Sequence, residues 1–343
     1  TIEYMLQLDY IIDSFSKTKV RKMKPFIRNL LRMSVYQIKY MDAVPDSAVC
    51  NEAVKLAKRH KFAQLSGFVN GVLRNIARNI DSVQFDTLSI RYSMPQWIVD
   101  RFVSAYGEKK AEEIFKAFHS KSTISIRTNL TRCTPDELRA MLEAEGVTVT
   151  AVDELNYAFV ISGFDYLNGL QSFRDGLFYV QDISSMLVAQ TAAPKKGDYV
   201  IDVCAAPGGK STHIAELLQG SGHVLARDLT DNKVDMIEEN IERHGLNNMS
   251  AEVWDATVFD ADSAGKADIL ICDLPCSGLG VLGRKKDIRY KMTPESVDEL
   301  AALQRQILDT VHTYVKPNGV LVYSTCTIDE AENEDLSLIH ISE

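Results

Sequence analysis

Several common signatures are missing from this 343-residue chain, and each absence removes a class of function. The six cysteines (Cys50, Cys133, Cys204, Cys272, Cys276 and Cys326) form no C-x-x-C pair and no secreted-scaffold spacing. Neither a disulfide framework nor a zinc site is indicated, and a reduced, cytoplasmic setting with unbridged thiols is expected. No apolar run approaches the roughly 18 residues that span a bilayer. The G-x-G-x-x-G fingerprint of dinucleotide-binding proteins is absent. A Walker A loop would need glycine five positions before Gly209, where Cys204 stands. What remains, 45% hydrophobic and 25% charged, is ordinary globular material. Its length suggests two or three domains, because a single core rarely grows past about 250–300 residues.

The net charge of −9 is unevenly spread. Residues 1–84 carry 14 Lys/Arg against 7 Asp/Glu, residues 85–170 carry 9 against 12, and residues 171–343 carry 15 against 28. A basic segment joined to an acidic one suggests that the basic part meets a polyanion, although a solvated helical face would look the same.

Residues 1–80 read as helices. Phe26, Leu30, Leu31, Val35 and Ile38 recur at helical spacing, as do Val49, Ala53, Leu56 and Ala57 after the Val44-Pro45-Asp46-Ser47 break, and then Phe68, Val72, Leu73 and Ile76. Residues 81–94 read as a linker and 96–118 as one helix. Residues 85–170 are grouped as this linker helix plus a small α+β unit, with strands at 123–127, 147–152 and 159–162 and a helix at 135–145. From 171 onward the pattern alternates. Strands are expected at 199–204, 223–227, 251–254, 268–272 and 319–324, and helices at 211–218, 231–244 and 295–315. That rhythm predicts a doubly wound, mostly parallel sheet, whose ligands bind outside the carboxyl ends of its strands.

Those ends hold the residues that can carry chemistry. Val200–Val203 is a β-branched run. Ala205 to Gly209 then form a tight, small-residue turn into a helix, a cradle in which the backbone at Gly208 and Gly209 can approach a ligand with its N–H groups. Asp228 lies 20 residues after Gly208, the spacing at which an acid accepts from a ribose hydroxyl pair. Without the diphosphate grips, the loop suits a nucleoside ligand rather than NAD or ATP. Asp202, Asp255 and Asp273 stand at other strand ends. Asp273-Leu274-Pro275-Cys276-Ser277-Gly278 and Tyr323-Ser324-Thr325-Cys326-Thr327 each put a thiol at that edge. A lone strand-end cysteine is usually a small buried hydrophobe, but two beside one cradle suggest a thiolate nucleophile. Arg284, Lys285, Lys286, Arg289 and Lys291 form a basic cluster suited to a nucleic-acid backbone.

Together, C-A-A-P-G-G-K (204–210), D-L-P-C-S-G (273–278), the G-L-G-V-L-G-R-K-K-D-I-R-Y run (278–290) and S-T-C-T-I (324–328) resemble the motifs of RNA cytosine-5 methyltransferases of the RsmB/Sun type. S-A-V-C-N-E-A-V-K-L-A-K (47–58) and G-F-V-N-G-V-L-R-N-I (67–76) are similar to the NusB-like RNA-binding helical domain of bacterial members. The resemblance implies a multidomain chain. An all-α NusB-like domain (1–84) would precede a small α+β, ferredoxin- or RRM-like unit (85–170) and an α/β Rossmann-like methyltransferase domain (171–343). It implies S-adenosylmethionine held by residues 204–210, with Asp228 on the ribose, Asp255 flanking the adenine and Asp273 near the methionine end or the target base. Cys326 would be the nucleophile that attacks carbon 6 of cytosine, and Cys276 would assist release by helping to remove the carbon-5 proton. Arg284, Lys285 and Arg289 would contact RNA.

The implied substrate is ribosomal RNA of the small subunit. The same chemistry on transfer RNA, and a non-catalytic RNA-binding assembly factor, are the other readings, and retention of both thiols argues against the last. No metal, no membrane association and a monomer are expected. Against the family pattern, the chain starts without the first NusB-like helix, and residues 335–343 do not resemble the usual continuation after E-N-E (332–334). The chain is therefore expected to be a fragment truncated at both ends, or to end in foreign sequence.

Overall fold

A computed structural model of the chain describes residues 1–120 and 123–341, the side chains of 338–341 excepted. It divides into two compact units. The first comprises Thr1–Ser120 and Val281–Pro294, and the second the described residues of Lys121–Gly280 and Glu295–Glu343.

The first unit is helical: α1 Met5–Phe15, α2 Pro25–Tyr40, α3 Asp46–Arg59, α4 Ser66–Asn79, α5 Gln96–Tyr106 and α6 Glu108–Phe118. Of the apolar stripes read from the sequence, Leu30, Leu31, Val35, Ala53, Ala57, Val72, Leu73 and Ile76 are buried in its core, joined by Leu8, Ile11 and Val69, whereas Leu56 is 36% exposed. Each fully buried aliphatic side chain of this kind contributes about 1.5–3 kcal/mol. The single helix expected over 96–118 is broken at Gly107, whose φ of +76° is a left-handed conformation that ends α5 and lets α6 start in a new direction. The expected linker is also more structured than its polarity suggests. Thr87 caps a helical turn, Leu88–Arg91, and Ser89, Ser93 and Met94 are buried. Helices α5 and α6 fall in this unit rather than with the α+β residues that follow.

The second unit contains two sheets. An antiparallel one has the order β2-β3-β1-β4, from β1 Ile124–Thr128, β2 Thr148–Val152, β3 Leu155–Ser162 and β4 Phe178–Val180. Helix α7, Pro135–Ala144, packs on it behind a capping box in which Thr134 and Glu137 satisfy each other's backbone N–H groups. Strand β4 has no sequence signal, because three residues are too few to display a period.

The other sheet is five-stranded and parallel, in the order β7-β6-β5-β8-β9. Its strands are β5 Tyr199–Asp202, β6 His223–Asp228, β7 Met249–Val253, β8 Ala267–Asp273 and β9 Val315–Ser324. Helices α8 Ile183–Ala192, α9 Gly209–Leu217 and α10 Asp231–His244 cover one face through Ala189, Ile214 and Ile237. Helix α11, Pro294–Val311, covers the other through Ile307, Leu308 and Val311. The chain winds outward from β5 through β6 to β7, then returns to β8 and β9. The switch point therefore lies between β5 and β8, where such sheets bind ligands.

A buried ion pair ties the antiparallel sheet to the helix after the cradle. On β1, Arg127 Nη1 lies 2.9 Å from Glu216 Oε2 of α9, and its Nη2 donates to Thr212 Oγ1 at 3.2 Å. Burial pushes the Glu216 carboxyl up to about 7, and Arg127 pulls it back down.

Candidate active site

The turn after β5 is built from its glycines and two acids. Gly208 has φ of +97° and caps α9, and Gly209 is the first helical residue, close enough to Tyr179 that a Cβ there would come within 3.2 Å of the ring. Asp202 sits beneath, fully buried, accepting from Ser211 Oγ and from Cys204 N. Its burial drives the carboxyl up to about 7, opposed by the Ser211 hydrogen bond. Cys204 points into an apolar and acidic setting, where burial raises its thiol to about 12. Ala205 is buried, and Pro207, exposed, offers its carbonyl to Asn240 Nδ2 at 2.9 Å.

Asp228 closes the next strand and is 3% exposed. Its Oδ2 accepts from Ala206 N at 3.0 Å, and its Oδ1 from Leu229 N and Lys233 Nζ at 2.8 Å each. One carboxylate thus joins the cradle to β6. Beside it Leu229 is 57% exposed, and Val253 at the end of β7 is 44% exposed, two apolar surfaces beside an acid. Asp255, on the loop after β7, is exposed and accepts from Thr257 N at 2.9 Å and Thr257 Oγ1 at 2.7 Å, bonds that lower its pKa. Lys210, the only cation of the 204–210 turn, is committed to Asp273 Oδ2 at 2.5 Å, while Asp273 Oδ1 accepts from Ser324 Oγ at 2.8 Å. A turn whose cation is already neutralised is poor at gripping phosphates. An acid beside apolar surface suits a ribose and a purine, so the residues present fit an adenosyl ligand.

The two thiols come together. The Sγ atoms of Cys276 and Cys326 lie 3.1 Å apart, and Cys326 N donates to Cys276 Sγ at 3.3 Å. The proton shared with Cys326 raises the pKa of Cys276, and burial adds to it. The backbone N–H of Cys326 opposes that rise, and Cys326 is the more exposed of the two residues.

Several site residues have no motif role in the sequence reading. Glu332, Gln304, Ser277, Thr327 and Asn333 are hydrogen-bonded around the thiol turns. The E-N-E run was the available signal for Glu332, but acids in such runs ordinarily face water. The basic cluster needs correction. Arg284 and Lys285 are exposed, but Arg289 is 0% exposed and donates to Leu282 O at 2.9 Å, with the carbonyls of Tyr92 and Ser93 at 3.4 and 3.5 Å. A guanidinium enclosed by carbonyls holds the first unit together and offers RNA no surface. Lys286 and Lys291 pair with Glu3 and Asp287.

Comparison with known proteins agrees with this geometry. Family models match the NusB family over residues 1–78, the Methyltr_RsmF/B-like ferredoxin-like domain over 94–164, and the 16S rRNA methyltransferase RsmB/F over 189–339. The chain is 38% identical to the "Probable ribosomal RNA small subunit methyltransferase B" of Bacillus subtilis (strain 168), covering 100% of this chain and 78% of that protein. The crystal structure of PH0851 superposes with a TM-score of 0.85 at 25% identity, covering 99% of this chain and 79% of that one. NSun6 from Pyrococcus horikoshii with SFG gives a TM-score of 0.67 at 25% identity, covering 72% of this chain and 87% of that one. A NusB domain, a ferredoxin-like domain and a methyltransferase domain with a parallel sheet thus follow one another along this sequence, and the chain belongs to the 16S rRNA methyltransferase RsmB/F family.

Proposed function

We propose that this protein methylates carbon 5 of a cytosine in small-subunit ribosomal RNA through a covalent adduct on Cys326. The observation that carries the reading is the pair of thiols 3.1 Å apart at the switch-point edge of the sheet. S-adenosylmethionine, when bound, supplies an electrophilic methyl group for carbon 5. Residues 204–210 would hold it, with Asp228 on the ribose, Leu229 and Asp255 beside the adenine, and Asp273 facing the methionine end or the target base. The solved relative that carries SFG, an S-adenosylmethionine analogue, supports the choice of cofactor.

The chain's own groups supply the rest. Cys326 Sγ, as thiolate, forms a bond to carbon 6, and the displaced electron pair makes carbon 5 nucleophilic. Consuming the Cys326 sulfur removes the largest cause of the raised Cys276 pKa, so Cys276 can release its proton to solvent and become a base. After methylation, Cys276 takes the carbon-5 proton. The C–H electron pair re-forms the 5,6 double bond, and the Cys326–carbon 6 bond breaks. The site ends as it began, with a proton on Cys276 and a thiolate on Cys326. The base must leave its stack to reach these thiols.

The first unit supports an RNA role. Counted over its two segments it carries 24 Lys/Arg against 13 Asp/Glu, and the other unit 14 against 34. With labelled S-adenosylmethionine and small-subunit ribosomal RNA, Cys326→Ala should abolish transfer and Cys276→Ala should accumulate a covalent protein–RNA adduct. An adduct with Cys326→Ala instead would reverse the two roles. No transfer to any RNA by the unaltered protein would favour a binding factor, and transfer only to transfer RNA would change the substrate.

A further inference from the structure

We infer that Glu332 is a positioning residue for the release thiol, a buried carboxylate that sets the orientation of Cys276 against Cys326. The inference rests on the two-thiol reading above and extends it to residues with no assigned role. Glu332 ends a short 3-10 turn, Glu330–Glu332, and is 0% exposed. Its Oε1 accepts from Ser277 N at 2.8 Å and from Gln304 Nε2 at 3.0 Å, and its Oε2 accepts from Ser277 Oγ. All three donors are neutral. Removing a carboxylate from water without a cation is costly, so a folded chain retains one only where several donors are aimed at it.

Those donors bracket Cys276. Ser277 follows it directly, and Gln304 Nε2 also donates to Pro275 O, on the preceding residue, at 2.8 Å. The same net reaches the other thiol. Because Ser277 O–H is committed to Glu332, the hydroxyl of Thr327 must be the donor in the 2.9 Å contact between Thr327 Oγ1 and Ser277 Oγ. Thr327 directly follows Cys326. Tyr323 OH donates to the Glu332 carbonyl, and Gly280 N donates to Cys326 O at 3.1 Å. The residues flanking both sulfurs thus converge on one acid. Proton removal at carbon 5 requires the Cys276 sulfur on one line, while formation of the bond to carbon 6 uses only Cys326. Loosening the net should therefore slow release more than attack.

The test is Glu332→Gln in the full chain, which keeps the shape but makes one acceptor oxygen a donor. The expected result is a kcat lowered roughly tenfold to hundredfold, the scale of a misplaced catalytic group. KM should fall in step with kcat, leaving kcat/KM nearly unchanged, because only a step after methyl transfer is slowed, and covalent adduct should accumulate as in Cys276→Ala. Adding Glu332→Gln to Cys276→Ala should not change the adduct level, since both act on one step, whereas a general structural defect would lower it. Ser277→Ala, which deletes a single donor, should show the same pattern more weakly and guards against a folding failure in the first variant. Wild-type turnover in both variants, or a lowered kcat without adduct, overturns the inference. If Cys276→Ala itself forms no adduct in a protein that otherwise methylates, the two-thiol reading fails first, and the role of Glu332 falls with it.

Discussion

Replacing Asp228 by asparagine separates its bracing of the cradle from its proposed contact with the ribose. In the folded protein its oxygens accept from Ala206 N, Leu229 N and Lys233 Nζ, and the side chain is 3% exposed. An amide keeps one acceptor oxygen, so one backbone N–H loses its partner at a cost of about 1–3 kcal/mol. The Lys233 ion pair, whose lysine end is 50% exposed, adds little. A ribose hydroxyl that donated to the carboxylate would lose a charge-assisted bond of about 1.5–3 kcal/mol, or roughly a tenfold to hundredfold weaker cofactor affinity. Calorimetric titration with S-adenosylmethionine and urea unfolding of the same variant measure the two terms. A folded Asp228→Asn protein with unchanged cofactor affinity would refute the ribose assignment. Lost affinity with an unaltered urea midpoint would refute the bracing role.

Three further outcomes follow from the same geometry. Removing either Arg127 or Glu216 alone should cost about 3–5 kcal/mol in urea unfolding, because a buried charge is left unpaired. Replacing both by methionine should cost far less, and equal losses in all three variants would contradict the pair. Asp202 has a folded pKa raised from 3.8 to about 7, so its contribution to stability is fully present below the unfolded value and is lost as pH rises through about 7. Asp202→Asn should therefore flatten the decline in stability between pH 4 and 8, by as much as about 4 kcal/mol, and a steeper decline would reverse the sign. Arg284→Gln with Lys285→Gln should weaken RNA binding and lower its salt dependence by up to about two counterions, read from affinity against salt concentration. Arg289→Met should instead lower the melting temperature of the first unit, and an effect of Arg289→Met on the salt slope alone would restore it to the RNA surface.

Much of this architecture is legible in the sequence, because its determinants are local. Helical stripes such as Leu30, Leu31 and Val35, and short strands ending in an acid or a thiol, carry their own signal. The turns at 204–210, 273–278 and 324–328 are recognisable because each joins an apolar run to small or reactive residues. Other features are set by tertiary context. Gly107 inside an apparent helix gives no warning of a positive φ, and Phe178–Val180 is a strand because β1 stands beside it. Arg289 reads as part of a basic cluster, and only the carbonyls of Leu282, Tyr92 and Ser93 turn it inward. Glu332 is hidden for the same reason: one buried acid in an acidic run is indistinguishable from its solvated neighbours. The division of charge also sharpens in three dimensions, since residues 281–294 belong with the basic unit rather than with the acidic one that surrounds them in sequence.

The most direct measurement uses small-subunit ribosomal RNA carrying tritium at carbon 5 of its cytosines. Methylation at that carbon must expel its hydrogen, so tritium should appear in water in equal amount to the methyl groups transferred, and neither should occur with Cys326→Ala. Methyl transfer without tritium release would place the chemistry at another atom and contradict the account.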